Sequence, residues 1–185
     1  MRKLIELLKK DISFQRKFLL GLSGAIFGII ITYIYYPKQP YRIGLIDTPS
    51  IFERVVIYKL INLDEIKIKR GNLYVFPLEK NTKYYKKGTM FIKYAVCLSG
   101  DTLNVKGLKY YCNGKYFATA QKTDSKGIPV KHFVYNGIIP KGKVFMYAPH
   151  PRSYDSRYWG FLDESDIKGV VVWKVLKWGG ENENR

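Results

Sequence analysis

The sequence has few of the residues that hold metal ions or build disulfide scaffolds. It contains two cysteines and two histidines in 185 residues. A four-ligand zinc site is hard to assemble from so small a set, and a scaffold with several disulfides is excluded. Acidic residues are also scarce, with 15 Asp and Glu against 32 Lys and Arg. We therefore expect any catalysis to use Ser, Lys, Asp or Glu side chains, without a metal or cofactor.

What is present supports a folded chain. Hydrophobic residues make up 46% of the sequence and aromatic residues 16%, which is enough for a packed core. A charged share of 25% argues against disorder, although the formal net charge is +17. The length predicts one ordinary domain with a small additional segment and excludes a multidomain enzyme.

One long apolar run lies near the N-terminus. Residues 18–36 carry no charge and would span about 28 Å as a helix, close to the roughly 30 Å core of a bilayer. A cleaved secretory signal would have a shorter apolar region that ends at a small-x-small site, whereas this run ends in tyrosines and Pro37. The run therefore predicts an uncleaved membrane anchor, with a cleaved signal or a buried core helix as alternatives.

The flanking charges predict the orientation of this anchor. Six Lys and Arg residues lie in residues 1–17, whereas only Lys38 and Arg42 follow closely after the span. Lys and Arg resist translocation, so residues 1–17 are expected in the cytoplasm. Residues 18–36 would then cross the inner (cytoplasmic) membrane once. Residues 37–185 would form an extracytoplasmic domain, periplasmic in a Gram-negative cell.

The remainder of the chain reads as strands separated by turns. β-Branched and aromatic runs with period-two alternation recur, and they occupy residues 54–58, 73–76, 90–96, 144–147 and 170–173. Asn113-Gly114 between two aromatic segments predicts a hairpin, because both turn positions favour positive φ. No long helical period follows residue 37. The expected fold is mainly β, an antiparallel domain with one N-terminal transmembrane helix.

Three segments contain residue types suited to chemistry. Residues 91–102 include most of the predicted strand at 90–96, in which alternation places Lys93 on the same face as Phe91 and Ala95. Residues 153–160 form a tight polar turn that carries Asp155, Ser156 and Arg157, and residues 47–51 form a loop soon after the anchor. Taken singly, each has an ordinary structural explanation: a lysine that reaches solvent, a structural loop and a turn serine.

The order of these segments resembles the type I signal peptidases, which use a Ser-Lys dyad, and is most similar to the TraF-type peptidases of conjugative transfer. The late family motif can run Ser-Phe-Asp-Ser-Arg-Tyr-x-Gly, and residues 153–160 reproduce it with Tyr154 in place of Phe. The family's lysine segment matches at Lys93, Val96, Leu98, Gly100 and Asp101. In the early loop Thr48 and Ser50 match, whereas Phe52 and Arg54 stand where Pro and Gly are expected.

The resemblance implies a role for each matching residue. Ser50 would be the nucleophile and Lys93 the general base. Ser156 would orient the lysine, and Asp155 and Arg157 would form a supporting ion pair. The implied activity is that of a membrane-anchored endopeptidase that cleaves exported precursors, such as a pilin precursor of a transfer system.

This chemistry requires a neutral lysine. A free lysine has a pKa near ~10.4, and a working value of ~7–8 needs the desolvation that an apolar strand can provide. Serine is a poor nucleophile until a neighbouring group takes its proton, and the sequence offers no plausible Ser-His-Asp set. The backbone N–H of Ser50 is the first candidate for stabilising the oxyanion.

Two alternatives stay open. Aromatic residues alternate with lysines at residues 83–87 and 110–116, a pattern found in grooves for single-stranded nucleic acid. The second hypothesis is therefore a non-enzymatic, membrane-tethered basic scaffold or nucleic-acid-binding component of a transfer apparatus. The expected partners are exported precursor proteins, membrane lipid and transfer-system components, and nucleic acid is less favoured than these. Cys97 and Cys112 could form a disulfide in an oxidising compartment or remain as two buried thiols.

Overall fold

A computed structural model of the protein describes residues 2–36, 39–62 and 67–177. The chain divides into two compact units, Met1–Pro40 and Tyr41–Arg185. The first contains helix α1, Arg2–Tyr35, and the apolar run of residues 18–36 lies almost entirely within it. Its stretch Phe14–Tyr35 has 22 residues and a mean hydropathy of 2.0, long and apolar enough to cross a membrane. Pro37 and Lys38, used in the interpretation of the anchor and its orientation, lie outside the described residues.

The second unit is built from two antiparallel sheets, which confirms the predicted fold class. The strands are β1 Tyr41–Leu45, β2 Glu53–Leu60, β3 Leu73–Pro77, β4 Met90–Cys97, β5 Thr102–Lys106, β6 Lys109–Cys112, β7 Lys115–Thr119, β8 Gly137–Ile138, β9 Lys143–Tyr147, β10 Leu162–Asp163 and β11 Gly169–Lys177. Helix α2, Ser156–Trp159, is a single turn, and a short 3-10 helix covers Glu164–Asp166. The large sheet has the order β1-β2-β11-β3-β4-β9-β10, and the small sheet has the order β7-β6-β5-β8.

Strand β4 is central to the arrangement because it pairs with β3 on one side and with β9 on the other. Its burial alternates along the chain, and Phe91, Lys93, Ala95 and Cys97 all face inward. The period-two pattern in the sequence grouped Lys93 with Phe91 and Ala95, and the structure confirms that these three residues share a face. The turn between β6 and β7 has Asn113 at φ 51° and Gly114 at φ 80°, which confirms the predicted hairpin.

Each sheet has its own core, and a disulfide connects the two. Tyr74, Phe76 and Trp159 belong to the core of the large sheet, while Tyr110 and Phe145 belong to a second core beside the small sheet. Cys97 at the end of β4 is bonded to Cys112 at the end of β6. Of the two alternatives for the cysteines, the structure contains the disulfide, and this bond ties the strand that carries Lys93 to the small sheet.

Candidate active site

Ser50 lies in the loop between β1 and β2. Its backbone N–H donates to the carbonyl of Thr48 at 2.7 Å, and its own carbonyl accepts from the N–H of His150 at 3.4 Å. The next residue, Ile51, is buried in a small cluster with Leu73 and Ala148. These contacts fix the backbone on both sides of Ser50, and so they restrict the position of the Ser50 hydroxyl.

Lys93 and Ser50 are in contact, although 43 residues separate them in sequence. The Nζ of Lys93 donates to the Oγ of Ser50 at 3.0 Å. The lysine is only 5% exposed, and its Nζ lies 5.5 Å from the ring centroid of Phe91. The pairing of β4 with β3, which sets Lys93 opposite Tyr74, fixes the direction from which the amine reaches the serine.

The surroundings of Lys93 favour the neutral amine. Burial lowers the pKa of Lys93 from its ordinary value of 10.5 to about 8, because the charged form is deprived of water. The negative charge of Asp155 acts in the opposite direction, and the positive charge of Arg157 lowers the pKa further. A group with this pKa is partly deprotonated near neutral pH, as a general base must be.

The predicted pair Asp155 and Arg157 forms a fully buried ion pair. The guanidinium donates to both carboxylate oxygens at 2.8 Å, in a bidentate arrangement. Asp155 also caps helix α2 by accepting from the backbone N–H of Arg157, and it accepts from the N–H of Ala148. Further donation from Arg157 to the carbonyls of Thr119 and Ser153 ties the turn to the end of β7.

Ser156 fastens this turn to β9. Its Oγ accepts from the backbone N–H of Met146 at 2.8 Å, and the residue is fully buried. Within residues 39–62 and 67–177, Ser50 is the side chain to which Lys93 donates a hydrogen bond. The role of Ser156 in orienting the lysine therefore stays a prediction.

Ser153 is a residue that the sequence reasoning did not select. It is 3% exposed, and in the part of the chain that the structure describes its Oγ has no hydrogen-bond partner. Ser153 lines the same cleft as Ser50 and Lys93. It begins the motif at residues 153–160, so a signal existed, but the motif offers two serines and the sequence alone does not distinguish them.

The cleft around the two residues has a volume of about 290 Å³ and is mixed in character. Ile46, Met90 and Ile92 supply apolar surface, and Thr48 and His150 supply polar groups. Ser50 and Lys93 both line this cleft.

A metal site is not favoured among the described residues. Their candidate ligand cluster contains Cys97, Cys112 and Asp101. The disulfide removes both thiolates as ligands. Asp101 instead accepts from Nη2 of Arg70, which lies 2.8 and 2.7 Å from its two carboxylate oxygens. This cluster is therefore a structural one.

The sequence is similar to those of known proteins. The model of the family "Signal peptidase, peptidase S26" matches residues 17–177. Signal peptidase I of Aquifex aeolicus is 28% identical over 95% of this chain and 72% of its own length. A probable conjugal transfer protein TraF of Sinorhizobium fredii is 26% identical over 83% of this chain and 86% of its own. Signal peptidase IB of Staphylococcus aureus is 31% identical over 66% of this chain and 68% of its own.

Among solved structures, a signal peptidase I from Enterococcus faecalis is similar. It is 25% identical, covers 58% of this chain and 98% of its own, and superposes with a TM-score of 0.40. The family model alone covers most of the present sequence, including part of each unit and every residue that lines the cleft. The chain therefore belongs to the signal peptidase family, peptidase S26.

Proposed function

We propose that the protein is a membrane-anchored serine endopeptidase in which Ser50 is the nucleophile and Lys93 the general base. The observation that carries this proposal is a buried amine 3.0 Å from a serine hydroxyl in an open cleft. Neutral Lys93 would take the hydroxyl proton as Ser50 attacks the scissile carbonyl. The protonated lysine would then deliver this proton to the leaving amine, and water would hydrolyse the acyl-enzyme.

The hydroxyl of Ser153, which no described residue hydrogen-bonds, supports an additional role for this serine beside the dyad. A buried hydroxyl without a partner is costly, and a charged amine formed during the reaction would give it one. We propose that Ser153 shares with Ser156 the task of holding the lysine. Ser156 would act indirectly, by fixing the turn against β9 through Met146.

The oxyanion would be stabilised by donors in the early loop. The Ser50 N–H now donates to the Thr48 carbonyl at 2.7 Å, so a substrate oxygen must replace that acceptor. Thr48 lines the cleft and carries a hydroxyl, which makes it the side-chain donor closest in sequence to Ser50. Preorganised donors of this kind contribute ~2.7–4 kcal/mol to catalysis where they have been removed one at a time.

The substrates we propose are exported precursor proteins at the outer face of the inner membrane. The basic residues before the span favour a cytoplasmic N-terminus, and the domain that follows the span would then be on the opposite side of the membrane. The resemblance to signal peptidases implies small side chains before the cut. The TraF relative supports a link to conjugative transfer, with a pilin precursor as the candidate substrate.

A cleavage assay in membranes tests the proposal. The full chain, Ser50→Ala and Lys93→Ala would each be incubated with exported precursors from the same cell, and the products would be sequenced at their new ends. We expect cleavage by the wild type and its loss in both variants. Lys115→Ala, an exposed lysine on β7, is the matched control and should cleave normally. Undiminished cleavage by either site variant, with folding intact, would remove the proposal.

A further inference from the structure

A second cavity opens beside the candidate active-site cleft. Its volume is about 200 Å³, and Tyr85, Arg152 and Tyr154 line both cavities. Tyr84 and Tyr158 complete a wall of four tyrosine rings. We call this cavity the tyrosine pocket. Because the two cavities share residues, a polypeptide that lies across Ser50 can reach the tyrosine pocket with one of its side chains.

The rings of the tyrosine pocket are already in place. Tyr154 stacks on Tyr158 with ring centroids 5.6 Å apart and an interplanar angle of 8°. It also stacks on Tyr85 at 5.6 Å and meets the edge of Tyr84 at 5.3 Å. These spacings are those of favourable aromatic pairs. The wall therefore needs little rearrangement to receive a ligand.

Asp124 holds the opposite side of the pocket. Its carboxylate accepts from the hydroxyl of Tyr84 at 3.0 Å and from the Nζ of Lys83 at 3.2 Å. The backbone N–H groups of Lys126 and Ile128 donate to its other oxygen. This single carboxylate joins residues 121–130 to the segment with Tyr84. Lys83 and Asp124 form an ion pair with each other, so we do not assign the recognition of a ligand to either charge.

Arg152 stands where the two cavities meet. It is exposed, and across the described ranges its guanidinium forms no ion pair. A guanidinium in this position can lie over the face of an incoming aromatic ring. The same positive charge disfavours a Lys or Arg side chain. A volume near 200 Å³ is below the ~300–1,000 Å³ of ordinary small-molecule sites, and it suits one side chain rather than a separate ligand.

We propose that the tyrosine pocket binds an aromatic side chain of the polypeptide substrate and so adds a second specificity element to the cleft. This inference rests on the proposed function, because it needs a peptide in the cleft. It predicts that a substrate carries Phe, Tyr or Trp at one fixed distance from the scissile bond.

Binding to an inactive variant tests the proposal without requiring turnover. Full-length Ser50→Ala protein in detergent micelles would be titrated with fluorescent peptides of Ala, Ser and Gln in which a single Tyr is moved along the sequence. Matched peptides carry Leu, Glu or Lys at the same position. We expect one position at which Tyr binds about tenfold more tightly than Leu, which corresponds to ~1.4 kcal/mol.

Variants of the pocket provide the second arm. Tyr84→Ala and Arg152→Gln change exposed residues, and in the Ser50→Ala background each should reduce the tenfold preference to near unity. Tyr116→Ala removes another exposed tyrosine, on β7 outside the pocket, and should leave the preference intact. Thermal unfolding checks that each variant is folded.

Three results would overturn the inference: no position with an aromatic preference, a stronger preference for Leu or Glu at that position, or a preference that survives both pocket substitutions. None of them depends on catalysis by Ser50. If the wild type cleaves with the expected dependence on Ser50 and Lys93 while the peptides show no aromatic preference, the proposed function stands and the tyrosine pocket is wrong.

Discussion

Replacing Lys93 with methionine should abolish cleavage and, at neutral pH, stabilise the fold. Lys93 is 5% exposed, and burial lowers its pKa from 10.5 to about 8. Methionine has a similar length, fills the same space between Phe91 and Ala95, and carries no charge to desolvate. If the variant is inactive but more stable, the lysine costs folding free energy and its contribution is to the reaction.

The size of the effect follows from the change in the pKa of Lys93 on folding. A decrease from 10.5 to about 8 costs ~3 kcal/mol of folding free energy at pH 7, at 1.36 kcal/mol per pKa unit. The lost hydrogen bond to Ser50 offsets ~1 kcal/mol of this. We therefore expect Lys93→Met to raise the free energy of unfolding by ~2 kcal/mol at pH 7.

The pH dependence has a definite sign. Between pH ~8 and ~10.5 the unfolded lysine binds a proton and the folded one does not, so the wild type gains stability as the pH rises through this window. The variant lacks this gain, and the difference should vanish near pH 10. Urea unfolding of both proteins in detergent, at pH 7 and pH 10, measures it; other titrating groups cancel in the comparison. A variant less stable than wild type at pH 7, or a difference independent of pH, would refute the reasoning.

Four further predictions concern the same unit. The kcat/KM for cleavage should rise about tenfold per pH unit below a midpoint near 8 and level off above it, and a profile flat from pH 6 to 9 would contradict a lysine base. Asp155→Asn should move this midpoint to lower pH, because it removes the charge that raises the pKa of Lys93; a midpoint at higher pH would be the wrong sign. Replacing both Cys97 and Cys112 with Ala should cost ~3 kcal/mol in urea unfolding, as expected for a loop of this length, whereas an unchanged midpoint would show that the bond adds nothing. Glu53→Gln should cost ~1–3 kcal/mol, because the buried carboxylate pairs with Lys174 at 2.7 Å; Lys59→Ala, on the exposed part of β2, is the control.

The sequence alone predicted those features that depend only on neighbouring residues, namely the alternation of a strand and the type of a turn. The alternation at residues 90–96 grouped Lys93 with Phe91 and Ala95, whose face of β4 is the buried one, and the Asn113-Gly114 pair indicated the hairpin. Strand β1 was not predicted. Its fourth residue is Gly44, and a Cβ there would meet a side-chain atom of Val56 at 3.0 Å. This strand forms because Gly44 lets it pack closely against β2. A short stretch of sequence around β1 does not show that contact, because β2 lies outside it.

The same limit explains the part of the site that was missed. Ser153 and Ser156 lie three residues apart in one turn, and either hydroxyl could face the lysine. The path of the turn is set by Arg157, whose guanidinium donates to Asp155 and to carbonyls distant in sequence. That path directs Ser156 to Met146, whereas the hydroxyl of Ser153 in the cleft has no hydrogen-bond partner among the described residues. Only the tertiary contacts separate the two serines.

The buried ion pair also helps to explain why the pKa of Lys93 stays low enough for a neutral amine. Asp155 raises the pKa of Lys93 and Arg157 lowers it, so the two effects oppose each other and desolvation has the largest influence. If Asp155 were buried without Arg157, its field would favour the ammonium form and oppose base catalysis. If Arg157 were buried alone, the desolvated guanidinium would destabilise the fold. The bidentate pair avoids both costs, because it organises the turn around Lys93 while adding little net charge beside the amine.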